Sequence, residues 1–369
     1  MFPVVPQPTL PDYAGGSLVN LVAELELRLR GSSESPGLAA PRAALIPAAS
    51  SYVLVVFDGL GTSQLDHLAA TDLRDHLVGS VDAPFPTTTT VSLASVATGR
   101  PPSQHGLLGY QLWMPDVGEV VNTIKWTNLW GDPTGFDTTR LLEEPNLWER
   151  LAAAGSEPIT VQPGNFATSP LSNGLYRGCR FEPIYSTQEW VDAVIDLASV
   201  PRRLVFAYLP HVDFAAHVHG QESREYEEAL STINRSWSEL VRRMPDNAVA
   251  VGTADHGHVD FAPERRFTIP RPAQEGRILY GDSRVMFVRG GDAALAEDLP
   301  ATWVPLEEIR GWWGPGPAHV AFEERAPDGA LVADDGWTLL HRRSDKRLIG
   351  NHGGLTDAER LVPLMVSRS

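Results

Sequence analysis

The sequence predicts an α/β fold in which a mostly parallel central sheet carries helices on both faces. Short apolar, β-branched runs such as YVLVVF (52–57) and RLVFAYL (203–209) are typical of strands buried on both sides. Amphipathic segments separate these runs, and in 222–244 one helical stripe is apolar while the rest is charged. Because buried strands that alternate with amphipathic helices form doubly covered parallel sheets, we expect that architecture here.

The individual elements follow from local patterns along the chain. Residues 1–16 are proline-rich and predict an extended arm. Segment 17–31 has leucines at helical spacing, with Ser17 as N-cap and Gly31 as the stop. A further helix is expected over 92–98, shortly after the four consecutive threonines at 87–90. Apolar runs predict further strands at 157–163, 248–252, 283–289 and 361–367.

The domain organisation is predicted to be a single domain over 1–369 with an N-terminal arm over 1–16. Segments near 110–150 and 262–345 are richer in tryptophan, proline and glycine and poorer in periodicity. We expect them to be cap-like insertions over one end of the sheet rather than separate domains.

Composition and charge exclude several classes of protein. The 369 residues carry a net charge of -16, which argues against a nucleic-acid polymer as the partner. Cys179 is the one cysteine, so no internal disulfide is possible. We see neither a signal peptide nor an apolar run long enough for a membrane span, and therefore expect a cytoplasmic protein without membrane attachment. The sequence leaves the oligomeric state open.

Three predicted strands lead to an aspartate, and histidines stand close to these positions or in a glycine-rich turn. Ligands bind at the carboxyl ends of the strands in such sheets, so we expect these side chains to meet there. One histidine alone is more often structural, but the whole set favours a metal site with mixed oxygen and nitrogen ligands. The set comprises Asp58, Asp213, His217, Asp255, His256 and His352.

The motifs along the chain resemble a known family. In order they are VVFDGLG, FPTTTTVSLASVATGRPPSQHG, DFAAH, TADHGH and GNHGG. They resemble the alkaline phosphatase superfamily and, within it, the type I phosphodiesterase/nucleotide pyrophosphatase family, over about residues 53–366. The resemblance implies two divalent metal ions, with zinc favoured and manganese as the alternative.

The resemblance also implies a role for each site residue. Thr89, the fifth residue of FPTTT, would be the nucleophile, with Thr88 and Thr90 as competing registers. A threonine at a helix start lies beside unpaired backbone N–H groups, which suits a phosphoryl oxygen. One metal would be held by Asp58, Asp255 and His256 together with Thr89, and the other by Asp213, His217 and His352.

The sequence departs from the family pattern near the substrate. The position three residues after the nucleophile, usually asparagine, is Ser92, and the residue after the DHG motif is His258 instead of an apolar residue. We expect Ser92, His258 and Lys125 to bind substrate. The tryptophans of segment 113–130 either stack on a nucleobase or pack in the core.

The function expected from the resemblance is hydrolysis of a phosphodiester or pyrophosphate bond of a small phosphorylated substrate through a phosphothreonine intermediate. The alternatives are a phosphonate hydrolase or phosphomonoesterase of the same superfamily, or a non-catalytic metal-binding protein. The presence of all six ligands and Thr89 argues against the last.

Overall fold

The structure, a computed structural model, describes residues 8–143 and 145–367. Within these ranges no helix is long and apolar enough to cross a membrane. Part of the predicted N-terminal arm, residues 1–7, lies outside the described residues. The remainder of the arm packs onto the fold, with Tyr13 buried and its hydroxyl donating to the carbonyl oxygen of Trp312 at 3.2 Å.

The strands are numbered in chain order. They are β1 (Ser51–Phe57), β2 (Leu77–Asp82), β3 (Gln111–Met114), β4 (Glu119–Asn122), β5 (Thr127–Asn128), β6 (Glu157–Pro163), β7 (Arg180–Ile184), β8 (Arg203–Leu209), β9 (Ala248–Thr253), β10 (Val259–Asp260), β11 (Arg266–Thr268), β12 (Ile278–Gly281), β13 (Val285–Arg289), β14 (Ala301–Pro305), β15 (Gly329–Ala333), β16 (Thr338–Leu340), β17 (Gly350–Asn351) and β18 (Leu361–Val366).

The α-helices are numbered in the same way. They are α1 (Leu18–Arg30), α2 (Ala40–Ala43), α3 (Thr71–Asp75), α4 (Thr89–Thr98), α5 (Pro102–His105), α6 (Leu147–Ala153), α7 (Pro170–Leu175), α8 (Thr187–Ala198), α9 (His211–His219), α10 (Arg224–Arg243), α11 (Arg271–Gln274), α12 (Leu306–Ile309), α13 (Phe322–Arg325) and α14 (Asp357–Arg360).

The central sheet has the strand order β2-β18-β9-β1-β8-β6-β7. The pairs that join β9, β1, β8, β6 and β7 are parallel, whereas β18 runs antiparallel to both of its neighbours. All seven residues of β1 are buried, as its uninterrupted apolar run predicts. The predicted α/β class with a mostly parallel sheet is therefore confirmed.

The helices confirm the local patterns from which they were predicted. Helix α1 begins after Ser17 and ends at Gly31, which adopts a left-handed conformation with φ 83°. Helix α10 buries Tyr226, Leu230 and Trp237 on one stripe. This stripe covers one face of the central sheet, since the Trp237 ring packs edge-on against Phe57 of β1.

A second sheet has the order β14-β15-β13-β12-β3-β4-β5 and consists of antiparallel pairs. Its strands come from the two segments predicted as cap-like insertions. The predicted strand over 283–289 forms β13 of this sheet and not a strand of the central one, because an apolar run shows that a strand is buried but not which sheet it joins.

Candidate active site

The carboxyl edge of the central sheet gathers the three predicted aspartates. Asp58 follows β1, Asp255 follows β9, and Asp213 lies in the first turn of α9, just after β8. Strands β8 and β9 flank β1 in parallel, so all three lead to the same edge. Gly59 makes the close approach possible, because a Cβ there would lie 2.8 Å from the Cα of Asp213.

A first donor group surrounds the hydroxyl of Thr89. The Nε2 atom of His256 lies 3.1 Å from Thr89 Oγ1, 3.6 Å from Asp58 Oδ1 and 3.7 Å from Asp255 Oδ2. The backbone N–H groups of Gly59 and His256 both donate to Asp255 Oδ1 at 3.0 Å. The other oxygen, Oδ2, is buried and accepts no hydrogen bond from any residue that the structure describes.

A second donor group surrounds Asp213. Its Oδ1 lies 2.7 Å from His258 Nε2, 3.4 Å from His217 Nε2 and 3.9 Å from His352 Nε2. The Nε2 atoms of His217 and His352 are only 3.2 Å apart. The two groups adjoin, since the rings of His256 and His352 stack with their centroids 3.8 Å apart.

Backbone carbonyls set the tautomer of the three predicted histidine ligands. Each Nδ1 faces a carbonyl oxygen: that of Gly350 at 2.7 Å for His217, Thr87 at 2.8 Å for His352 and Gly257 at 3.1 Å for His256. A carbonyl only accepts, so the proton is on Nδ1, and in the neutral ring Nε2 carries a bare lone pair. The lone pairs of all three rings therefore point into the site.

Burial and neighbouring charges shift the pKa values of three side chains in the site. Burial raises the pKa of Asp58 well above its usual range, and the carboxylates of Asp213 and Asp255 raise it further. Burial also acts to raise the pKa of Asp213, but the nearby histidines, His217 first, hold it well below its usual range. Burial lowers the pKa of His352 well below its usual range, and the other histidines add to this effect.

These side chains fit divalent metal ions. Asp58, Asp255 and His256 place their donor atoms within 4.8 Å of one another, and so do Asp213, His256, His258 and His352. An unpartnered buried carboxylate oxygen, clustered carboxylates and converging imidazole lone pairs are stabilised by a cation. The mixture of oxygen and nitrogen donors suits zinc or manganese.

The four threonines around the start of α4, residues 87–90, have separate contacts. The hydroxyl of Thr87 donates to the carbonyl oxygen of Gly354 at 2.8 Å, and Thr90 accepts from the hydroxyl of Thr123 at 2.9 Å. Thr88 is the N-cap residue, and its side chain makes no capping hydrogen bond. Among the four, only the hydroxyl of Thr89 contacts the first donor group.

A cavity of about 600 Å³, which we call the active-site cavity, opens beside Thr89 and is also lined by Asp213, His217 and His352. Lys125 is exposed and lies on its wall. Ser92 and His258 are buried instead. The hydroxyl of Ser92 donates to the carbonyl oxygen of Asp255 at 2.7 Å, and His258 contacts Asp213.

The tryptophans of segment 113–130 differ in their surroundings. Trp126 is buried and stacks on Phe136 with ring centroids 5.1 Å apart, so it belongs to the core. Trp130 is 62% exposed and lines the active-site cavity.

Two further residues at the site were not selected from the sequence. The hydroxyl of Tyr208 donates to Asp58 Oδ2, and Asp282 lies buried on the cavity wall, where burial raises its pKa to about 7. Tyr208 carries a detectable signal, since it is the one hydroxyl in the apolar run RLVFAYL. Asp282 lies in the turn between β12 and β13 of the second sheet. No local sequence pattern indicates that this turn reaches the site.

Known proteins share this fold and sequence pattern. The central sheet carries a threonine at a helix start, and two groups of aspartates and histidines lie beside it. The sequence profile described as "Type I phosphodiesterase / nucleotide pyrophosphatase" matches residues 52–355. The chain therefore belongs to the type I phosphodiesterase/nucleotide pyrophosphatase family, as the motifs predicted.

Individual relatives are distant. An uncharacterized pyrophosphatase/phosphodiesterase of Schizosaccharomyces pombe is 24% identical over 329 residues, and the match covers 79% of this chain but only 64% of that protein. The fold is similar to that of murine ectonucleotide pyrophosphatase/phosphodiesterase 5, with a TM-score of 0.66, 20% identity and coverage of 85% of this chain and 87% of that one. An inactive form of the murine protein has been solved in complex with AMP.

Phosphonoacetate hydrolase from Sinorhizobium meliloti 1021, solved in complex with phosphonoformate, shares the fold as well. Its TM-score is 0.63 at 19% identity, with coverage of 88% of this chain and 90% of that one.

Proposed function

We propose that this protein is a metal-dependent hydrolase that cleaves phosphodiester or pyrophosphate bonds of small substrates, with Thr89 as the nucleophile. The observation that carries the proposal is the position of the Thr89 hydroxyl, 3.1 Å from His256 Nε2 and 3.5 Å from Asp58 Oδ1, on the wall of a cavity. Family membership and the AMP complex of a structural relative support a phosphorylated substrate.

In this proposal the two donor groups hold two divalent cations, with zinc favoured. The first would be held by Asp58, Asp255 and His256 together with Thr89, and the second by Asp213, His217 and His352. When bound, such cations lower the pKa of a neighbouring hydroxyl and supply positive charge against phosphoryl oxygens.

The residues of the chain have the following proposed roles. Thr89 Oγ1 attacks phosphorus, the bond to the leaving oxygen breaks, and a phosphothreonine forms that water then hydrolyses. The first N–H groups of α4, which lack helical acceptors, bind the phosphoryl oxygens. Lys125 supplies positive charge at the cavity wall. The hydrogen bond from Tyr208 orients the Asp58 carboxylate.

Substrate contacts of Ser92 and His258 stay predictions. Both side chains are already engaged inside the protein, so a contact with substrate would require each to leave its present partner.

A phosphonate hydrolase or phosphomonoesterase is the second candidate. Ser92 stands where the family usually has an asparagine, and its hydroxyl donates to the carbonyl oxygen of Asp255. The amide that would donate to a phosphate oxygen at this position is therefore missing. The likeness to phosphonoacetate hydrolase points to the same alternative.

We expect the zinc-loaded protein to hydrolyse bis-p-nitrophenyl phosphate at least about tenfold faster than p-nitrophenyl phosphate. The reason is that the cavity has room and an exposed indole, Trp130, for a second ester group. Initial rates of p-nitrophenol release are measured at 405 nm for the two esters. Hydrolysis of phosphonoacetate is measured separately by the release of phosphate, and the three rates decide between the candidates. Faster cleavage of the monoester or phosphonate would favour the second candidate, and no activity with any of them would favour a binding protein.

A further inference from the structure

A second cavity lies beside the active-site cavity. We call it the annex cavity; its volume is about 590 Å³, and its lining includes Arg271, Arg277, Arg342 and Arg343. Leu129, Trp130, His341 and Arg343 line both cavities. These shared residues form a wall between the active-site cavity, which Thr89 lines, and the annex cavity of similar volume.

Arg343 is held at this shared wall. Its guanidinium carbon lies 3.6 Å from the ring centroid of Trp130, a cation–π contact. Its backbone N–H donates to Nδ1 of the buried His341 at 3.0 Å, and the His341 N–H in turn donates to Ser344 Oγ at 3.1 Å. Within 8–143 and 145–367, no carboxylate oxygen lies within 4.0 Å of the Arg343 guanidinium.

The annex cavity is locally basic in an acidic protein. Four arginines and two glutamates line it, whereas the whole chain has 46 acidic and 30 basic residues. Arg271 is paired with Glu275 at 3.6 Å, so part of the charge is neutralised. Arg277 Nε is buried and has no hydrogen-bond partner among the described residues. Its Nη1 donates to the carbonyl oxygens of Ala273 and Glu275 at 3.4 Å, so this guanidinium is held in place while its charge has no carboxylate partner within 4.0 Å among the described residues. Arg277 and Arg343 therefore keep positive charge that no described carboxylate pairs with, and guanidinium groups of this kind match a phosphate group.

Resting on the proposed function, we propose that Arg343, Trp130 and Arg277 form a subsite for a phosphate group remote from the scissile phosphorus. The substrates are accordingly diesters that carry a second phosphate. Arg343 receives this phosphate because it faces both cavities, the stacked indole keeps the guanidinium plane fixed, and Arg277 extends the positive charge into the annex cavity.

A matched pair of chromogenic substrates tests this subsite. The p-nitrophenyl ester of thymidine 5′-phosphate and the same ester carrying a 3′-phosphate have one scissile bond and one leaving group in common. We expect kcat/KM to be about tenfold or more higher for the 3′-phosphorylated ester, mainly through KM, because charge-assisted hydrogen bonds to phosphate have that strength. In Arg343→Gln this ratio should fall toward one.

Arg347→Gln is the control, since Arg347 is in the same loop, pairs with Asp345 at 2.6 Å and lines neither cavity. It should keep the ratio of the unmodified protein. An equal rate for both esters, or a ratio unchanged in Arg343→Gln, would overturn the subsite.

The proposed function can fail while the phosphate subsite still exists, and a binding measurement separates these two results. If neither ester is cleaved, calorimetric binding of thymidine 3′,5′-bisphosphate and thymidine 5′-phosphate decides about the subsite. Tighter binding of the bisphosphate that is lost in Arg343→Gln supports it, and equal binding of the two nucleotides refutes it.

Discussion

Replacing Thr89 with alanine is expected to lower kcat for a phosphodiester by at least about a thousandfold, because no other hydroxyl within 8–143 and 145–367 contacts both His256 and Asp58. The substitution removes one hydroxyl and one methyl group at the helix start and leaves the backbone of α4 intact, so folding should be preserved. Turnover of bis-p-nitrophenyl phosphate measures the loss, while the melting temperature and the zinc content of the same sample should stay close to those of the unmodified protein.

Thr88→Ala is the matched control for this substitution. Thr88 adjoins Thr89 and also lines the cavity, but its side chain makes no capping hydrogen bond with α4. Its activity should remain within about tenfold of the unmodified protein, which is the effect of losing one neutral contact. Full activity of Thr89→Ala together with loss in Thr88→Ala would move the nucleophile to Thr88.

The second large effect is expected for Asp255→Asn. Asparagine keeps an oxygen for the N–H groups of Gly59 and His256, but it puts an amide in place of the unpartnered Oδ2. The first donor group then loses a charged ligand, and we expect at least about a hundredfold loss of metal affinity there and a similar loss of activity. Zinc content after dialysis against limiting zinc should fall from two ions per chain to one.

Asp260→Asn controls for the loss of a negative charge in the same segment. Its carboxylate accepts from the backbone N–H of Gln221 at 2.6 Å and belongs to neither donor group. Zinc content should therefore be unchanged. Two tightly held ions in Asp255→Asn would show that this carboxylate is not a ligand.

The sequence was sufficient to predict the residues that follow the buried strands. Asp58, Asp213 and Asp255 could be placed together because the apolar runs identify β1, β8 and β9, and the carboxyl ends of parallel strands share one edge. His352 was selected because glycines flank it in GNHGG, but its place in the second donor group came from the family resemblance, since no rule of spacing brings residue 352 to the start of α4.

Features that depend on contacts between distant segments were not predictable. The second sheet pairs strands from 111–128 with strands from 278–333, and neither segment has a period that reveals its partner. The same holds for Arg343 and Trp130, whose contact joins loops 213 positions apart in the chain. Local periodicity reports whether a side chain is buried, but it does not report which surface covers it.

The role of Thr89 as the nucleophile is tested most directly by trapping the covalent intermediate. The zinc-loaded protein would be quenched in acid during turnover of bis-p-nitrophenyl phosphate, digested and mapped by mass spectrometry, with Thr89→Ala treated in parallel. We expect a p-nitrophenyl phosphate or phosphate adduct on Thr89 that is absent from the variant. An adduct on another residue would contradict the assignment of Thr89, and active protein that never carries an adduct would contradict the covalent mechanism.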